Sequence, residues 1–212
     1  MERYETEEQQ IEAIKRFWKE NGMVIILGAV IGLGGLWGWR WYNDSVISAK
    51  EEASKAYQAS VEQFAESEST DALIAFVEEN KDTAYAKLAS LIAAQQAVEA
   101  EDFEQAKSHL SLAADGSSEV ADVAKLRLAK VQLQLEEYDS AISTLESVNA
   151  SAFADQVQEL KGDIYYIQGK YEQAQSAYNQ ALVELPGDQS IQMKLDNIAY
   201  AKTQSVSSDS EE

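Results

Sequence analysis

The chain has 212 residues, 45% of them hydrophobic, and a formal net charge of −20 at pH 7. It contains no cysteine and one histidine, which excludes a disulfide framework and a thiolate metal site. Because a surface with this charge repels phosphate groups, we do not expect nucleic acid to be a partner.

Helix-breaking residues are scarce in this chain. It has one proline and ten glycines, and five of the glycines fall between Gly28 and Gly38. The rest of the chain therefore predicts an all-α fold. Helices are expected at about residues 44–66, 70–80, 84–100, 103–114, 118–136, 138–148, 152–168, 171–184 and 189–203.

Residues 1–22 precede the longest apolar run and are predicted to form a tail. Its apolar residues recur at helical spacing: Ile11, Ile14, Phe17 and Trp18. This spacing predicts an amphipathic helix that ends at Asn21-Gly22. Such a helix could rest on a membrane surface or, alternatively, bind a cytosolic partner.

Residues 23–39 contain no charged side chain and predict a membrane-spanning helix. Interfacial aromatic residues follow at one end and extend the span to residue 42: Trp37, Trp39, Trp41 and Tyr42. A cleaved signal peptide would have a basic start and a small-residue cleavage site, and neither is present. We therefore expect an uncleaved anchor, with membrane lipid around residues 23–42.

The cations that flank the span predict its orientation. Lys15, Arg16 and Lys19 precede it closely, whereas Arg40 alone lies as close on the other side. By the positive-inside rule the N-terminus is expected in the cytoplasm.

Glycines inside the span form two small-residue pairs that are predicted to share nearly one helical face. The pairs are Gly28 with Gly32 and Gly34 with Gly38. Such spacing lets two helices pack closely in lipid, although glycine is also simply common in membrane helices. Both interpretations stay open.

Three similar segments recur after the span. Each has an aromatic residue, an acidic residue, any residue and then an alanine: Phe103 to Ala106, Tyr138 to Ala141 and Tyr171 to Ala174. Their spacing brackets the period of roughly 34 residues that marks tetratricopeptide repeats. The last copy resembles that repeat most fully, through Gly162, Tyr165, Ala174, Tyr178, Ala181 and Pro186.

This resemblance implies an α-solenoid of about three degenerate tetratricopeptide-like repeats over residues 43–204. The segment after residue 188 is expected to cap the solenoid. Residues 205–212 are small and acidic and are predicted to be disordered.

Catalytic motifs are lacking in the sequence. It contains no G-x-S-x-G, glycine-rich phosphate loop or H-E-x-x-H, and His109 has no second histidine to pair with. We expect His109 to be exposed to solvent. The chain is predicted not to be an enzyme and to use neither a metal nor another cofactor.

A solenoid of helix pairs offers a groove that the first helix of each pair lines. The tetratricopeptide offsets, carried over as a geometric expectation, assign ten residues to it: Leu88, Leu91, Gln95, Val98, Leu126, Lys130, Leu133, Glu159, Asp163 and Tyr166. This surface would have a leucine-rich half and an acidic half with Lys130 as its single cation. It favours an apolar segment or an amphipathic helix over an acidic C-terminal peptide.

The helix expected at residues 44–66 offers an alternative occupant of that groove. It carries apolar residues that could fill the groove from within the chain: Ala56, Tyr57, Ala59, Val61 and Phe64. Binding of a partner and filling by this helix are equally compatible with the sequence.

The arrangement as a whole resembles the YfgM family, the ancillary subunits of the bacterial SecYEG translocon. The tail YETEEQQIEAIKRFWKENG, a glycine-rich span ending in GWRWYN, the pattern A-x-x-A-Y and the degenerate repeats carry the resemblance. It implies a cytoplasmic N-terminus, one inner-membrane span and a periplasmic repeat domain.

The same resemblance implies partners. They are the SecYEG translocon, the periplasmic chaperone PpiD and emerging secreted polypeptides, which would be passed to periplasmic chaperones. The alternative is a membrane-anchored scaffold for another envelope complex, or a protein that binds a stress-response regulator.

Overall fold

The computed structural model describes residues 7–208 of the chain. The described residues form helices joined by short connections, with no strand among them, which confirms the predicted all-α fold. The nine α-helices are α1 (Glu7–Ser67), α2 (Asp71–Glu79), α3 (Ala84–Glu99), α4 (Phe103–Ala113), α5 (Glu119–Gln134), α6 (Tyr138–Glu146), α7 (Ala154–Ile167), α8 (Tyr171–Glu184) and α9 (Gln189–Ser208). A short 3-10 helix, Ser151–Phe153, precedes α7.

The first helix has no break at Asn21-Gly22, so the predicted helix end at that site is wrong. Gly22 does not adopt the left-handed conformation of a helix C-terminus, and the Asn21 side chain donates to the Phe17 carbonyl oxygen at 3.1 Å. The Trp18 ring lies over Gly22, whose Cβ would be 3.1 Å from it. Because the residues after Gly22 are also helical, α1 continues through this glycine without interruption.

The last helix also differs from its prediction. It continues to Ser208, five residues past the expected end at residue 203, and so includes residues 205–208 of the predicted tail. The remainder of the predicted disordered tail, residues 209–212, lies outside the described residues.

The contacts divide the chain into two compact units, Met1–Glu52 and Ala53–Glu212. In the first unit, α1 is long and apolar enough to cross a membrane, by its length and composition. Its apolar side chains are exposed, with Met23 at 80% and Trp37 at 76%. The helix is therefore not the buried core helix of a soluble domain.

The second unit stacks helix hairpins. The pairs α3–α4, α5–α6 and α7–α8 correspond to the three predicted repeats, and each pair packs on the next. Among the described residues its core forms four buried clusters, from one around Leu73 and Phe76 to one around Tyr178 and Ile198.

The three hairpins turn in the same way. The residue at each turn has a positive φ: Glu101 at 58°, Glu136 at 60° and Gly169 at 71°. The next N–H closes a six-residue loop onto the first helix, as from Asp102 to the Ala97 carbonyl at 2.9 Å. This is the Schellman ending of a helix, and its recurrence shows that the three repeats are in phase.

The last hairpin shows why a glycine is needed at one signature position. Gly162 on α7 faces the ring of Tyr178 on α8, and a Cβ at Gly162 would lie 2.3 Å from that ring. Hydrogen in place of a side chain thus permits the close packing of α7 and α8.

Candidate partner-binding groove

The structure brings part of the predicted groove together. Leu91, Gln95, Val98 and Lys130 line one cleft between α3, α4 and α5. A second, polar pocket is lined by Leu126, Lys130, Glu159 and Asp163. Leu88, Leu133 and Tyr166 line neither of these pockets.

The floor of the cleft is apolar. The cleft has a volume of about 490 Å³, and Ala94, Leu110 and Val131 at its base belong to a buried cluster. Phe103 and Leu91 pack against that cluster from the sides, while Val98 remains 40% exposed at the opening. Apolar surface is thus accessible here, where a partner could cover it.

Two cations stand on the α5 side of this cleft. Arg127 lines it together with Lys130, one helical turn away. The expectation that Lys130 is the single cation of the groove is therefore wrong. Arg127 was missed because the transferred offsets assign its position to another face of α5.

A lysine on α9 offsets part of the negative charge in the predicted acidic half of the groove. Lys194 Nζ lies 2.7 Å from Glu159 Oε1 and 2.7 Å from Asp163 Oδ1. The Tyr178 hydroxyl donates to Asp163 Oδ1 at 2.7 Å. Both carboxylates are therefore paired within the domain.

The pKa shifts agree with a structural cross-link. Burial alone would lower the pKa of Lys194, but the hydrogen bonds to Asp163 and Glu159 hold that pKa above its ordinary value. Burial, and then the Asp163 carboxylate, raise the pKa of Tyr178. The groups are thus held in their ordinary charge states, with Lys194 charged and Tyr178 neutral. This arrangement ties α9 to α7 rather than preparing a proton transfer.

The C-terminal part of α1 does not fill the cleft. Tyr57, Val61 and Phe64 pack against the cluster that α2 and α3 form. The Tyr57 ring lies 5.9 Å from the Phe76 ring and 5.4 Å from the Tyr85 ring. The structure therefore does not support the alternative in which the C-terminal part of α1 occupies the groove.

Helix α5 contains a buried ion pair that was not predicted from the sequence. Lys125 Nζ lies 3.0 Å from Asp122 Oδ1, and both side chains are buried. Asp122 also accepts from the backbone N–H groups of Asn149, at 3.3 Å, and Ala150, at 2.9 Å. Burial alone would raise the pKa of Asp122, but these donors hold it below its ordinary value.

His109 is half-buried, so its predicted exposure is wrong. Its Nε2 atom is buried without a hydrogen-bond partner among the described residues. Burial lowers the pKa of its imidazole, and Asp102 opposes that shift. In the part of the chain that the structure describes, no group of three or more His, Cys, Asp or Glu side chains could hold a metal ion.

The glycines of the span have open space where a side chain would lie. No atom lies within 4 Å of a Cβ placed at Gly28, Gly32, Gly34 or Gly38. At about 100° per residue, Gly28 and Gly32 point about 120° away from Gly34 and Gly38. The two pairs therefore do not share one face, contrary to the prediction. Gly35 lies on the same face of the helix as Gly28 and Gly32.

Known proteins resemble this chain over nearly its full length. A family model described as a tetratricopeptide repeat-like domain matches residues 15–200. A protein of Escherichia coli (strain K12) is 37% identical over 206 residues, covering 94% of this chain and 100% of the relative. A protein of Haemophilus influenzae is 34% identical, and the match covers 91% of this chain and 97% of that relative. One of Neisseria gonorrhoeae is 30% identical with the same coverage. Each of these relatives carries the name "Ancillary SecYEG translocon subunit".

Proposed function

Because the chain belongs to the family of ancillary SecYEG translocon subunits with a tetratricopeptide repeat-like domain, we propose that it is an accessory, non-enzymatic subunit of the Sec translocon. Its apolar N-terminal helix and the names of its relatives fit an inner-membrane protein. The repeat domain binds other proteins and helps to transfer secreted polypeptides to periplasmic chaperones, including PpiD.

The single observation that carries this proposal is the open cleft between α3, α4 and α5. It exposes apolar side chains that the rest of the domain leaves uncovered, and repeat solenoids use such concave surfaces to bind polypeptides. The cleft offers a binding surface, and the carboxylates of the neighbouring pocket, Glu159 and Asp163, are already paired with Lys194.

Photo-crosslinking tests binding at the cleft. A photoreactive amino acid at Val98 or Gln134, which line the cleft, is expected to trap a translocating chain or PpiD. The control position is Val183, which is 74% exposed on α8 and does not line the cleft. Equal crosslinking at Val183 and Val98, or reaction with water alone, contradicts the proposed role of the cleft.

The proposed topology places residues 1–22 in the cytoplasm, residues 23–42 in lipid and residues 43–204 in the periplasm. The absence of cysteine makes single-cysteine labelling direct. With a membrane-impermeant maleimide on intact spheroplasts, we expect Gln180→Cys to react and Glu12→Cys to react only after lysis. The opposite pattern rules out this orientation.

Association with the translocon is tested by purification of the full chain in a mild detergent. Co-purification of SecYEG is the expected result. Recovery of a different envelope complex without SecYEG supports the alternative of a scaffold and contradicts the proposal.

A further inference from the structure

We propose that the cleft between α3, α4 and α5 recognises a polypeptide segment in which large apolar side chains lie next to a single carboxylate. This inference rests on the proposed function and names the chemistry of the bound polypeptide. It follows from three features of the cleft, which are its apolar floor, its two cations and the acidic domain around it.

The floor selects apolar side chains. Ala94 and Leu110 are 1% exposed and Val131 is 5% exposed, so the base is closed and apolar. The volume of about 490 Å³ lies within the range of ~300–1,000 Å³ that is usual for ligand pockets. It accommodates anchoring side chains of a peptide, but not a folded domain.

The α5 side selects a carboxylate. Arg127 and Lys130 are exposed and make no ion pair within the part of the chain that the structure describes. Other lysines of the domain are paired, among them Lys107, Lys161 and Lys194. A guanidinium group matches a carboxylate with two parallel hydrogen bonds, so Arg127 supplies geometric preference and Lys130 adds charge.

The α3 side limits how much negative charge the cleft accepts. Glu99 lines it there and accepts a hydrogen bond from Gln95 Nε2 at 3.0 Å. The chain also has a net charge of −20, which repels polyacidic segments at longer range. One carboxylate beside apolar residues is thus favoured over a run of acidic residues.

Peptide titration tests the inference. The full chain in phospholipid nanodiscs is titrated by calorimetry against the peptide Ser-Gly-Leu-Phe-Glu-Leu-Gly-Ser, which is acetylated at its N-terminus and amidated at its C-terminus so that Glu is its single carboxylate. Two further peptides replace its Glu with Gln, or its Leu and Phe residues with Ser. We expect the Glu peptide to bind about tenfold more tightly than the Gln peptide, since a hydrogen bond to a charged carboxylate contributes more than one to a neutral amide. The Ser peptide should not bind measurably.

A pair of variants localises this preference. Arg127→Gln with Lys130→Gln should reduce affinity for the Glu peptide about tenfold and leave the Gln peptide unchanged. Lys81→Gln with Lys170→Gln removes the same charge away from the cleft and should change neither affinity. Equal binding of the Glu and Gln peptides, or equal effects of the two double variants, overturns the inference.

A lipid occupant is the other outcome of the experiment. A photoactivatable fatty acid that labels the cleft, and that the Glu peptide does not displace, overturns the inference in favour of lipid. If SecYEG co-purifies but the peptides are not distinguished, this inference fails and the proposed function stands. If the peptides are distinguished but SecYEG is absent, the proposed function fails and the peptide preference remains.

Discussion

Gly162 and Tyr178 illustrate how single residues set the spacing of the last helix pair. The glycine leaves room for the aromatic ring, which is 2% exposed and belongs to the core of α7, α8 and α9. Both residues occupy signature positions of the repeat, so their proximity could be predicted from the sequence.

Gly162→Ala is expected to lower the free energy of unfolding by about 3 kcal/mol, because a Cβ 2.3 Å from the Tyr178 ring forces helices apart. Urea unfolding followed by circular dichroism measures the change. In a Tyr178→Leu background the same substitution should cost much less, since the ring that it meets is absent. Additive costs would show that the clash is not the cause.

Asp122→Ala is expected to cost about 3–5 kcal/mol, because it leaves the buried Lys125 ammonium without its carboxylate. The control is Glu146→Ala, which removes an exposed partner of Lys161 and should cost at most about 1 kcal/mol. Urea unfolding of both variants provides the comparison. A similar cost for the two would contradict a stabilising role for the buried pair.

The pair also predicts a pH dependence. Because folding lowers the pKa of Asp122, the unfolded chain binds this proton first as the pH falls. The stabilisation is therefore present above the unfolded pKa of about 3.9 and is lost as the pH falls through the lower, folded pKa. Unfolding midpoints measured from pH 6 to pH 3 should fall more steeply for the wild type than for Asp122→Asn.

The sequence did not reveal this pair, and the reason is physical. An acid and a base three residues apart on a helix usually form a solvent-exposed contact. Burial of Asp122 depends on the loop at residues 147–150, which is distant in sequence and folds over it. A local pattern carries no information about such a contact.

At the scale of elements, the turns of the three hairpins have one conformation but different residues. Gly169 carries no side chain, whereas Glu101 and Glu136 adopt the same positive φ with a side chain. Since a side chain at positive φ costs energy, these two turns are less favourable than the third.

Glu101→Gly is therefore expected to raise the free energy of unfolding by about 0.5–1 kcal/mol. The adjacent Ala100 has a φ of −84°, so Ala100→Gly should lower stability by a similar amount. Urea midpoints of the two variants should move in opposite directions. Movement in the same direction would contradict the role assigned to the positive φ.

Helix boundaries show the limits of local signals. Most predicted helices agree with the structure to within a few residues, because capping residues and repeat spacing mark their ends. The Asn21-Gly22 signal failed because a helix ends at a glycine only when the next residues leave the helix. Here an apolar run follows, and in lipid its backbone groups must bond within the helix.

At the scale of the whole molecule, the repeat domain is a linear stack whose last layer is α9. Ile191 and Ile198 on α9 are each 1% exposed and pack against α8. In such a stack each layer contacts mainly its neighbours, so damage at one end should remain local.

Ile198→Ala should cost about 2–5 kcal/mol by leaving a cavity under α9. Limited proteolysis should then cut the 185–188 connection faster while the 100–102 turn keeps its wild-type resistance. Met193→Ala, at a side chain that is 65% exposed, should change stability by no more than about 0.5 kcal/mol. Equal loss of resistance at both connections would contradict a locally coupled stack.

The groove was partly predictable at this scale. Four residues that the repeat offsets assign to the groove line one cleft: Leu91, Gln95, Val98 and Lys130. The offsets could not reveal that Lys194, 35 residues beyond Glu159, lies on α9 and forms ion pairs with Glu159 and Asp163. The charge on a solenoid surface depends on which side chains of the neighbouring helices form ion pairs there. Those contacts are determined by the stacking of the helices and not by the sequence of one repeat.

The Asp122 carboxylate has a consequence for the backbone that surrounds it. The amide hydrogens of Asn149 and Ala150 lie in a connection between helices, where rapid deuterium exchange is usual, yet both are bonded to a buried anion. Their exchange should require α7 to separate from α5, so it should be as slow as exchange in the helices. These two amides therefore form a natural NMR probe of how often neighbouring repeats come apart.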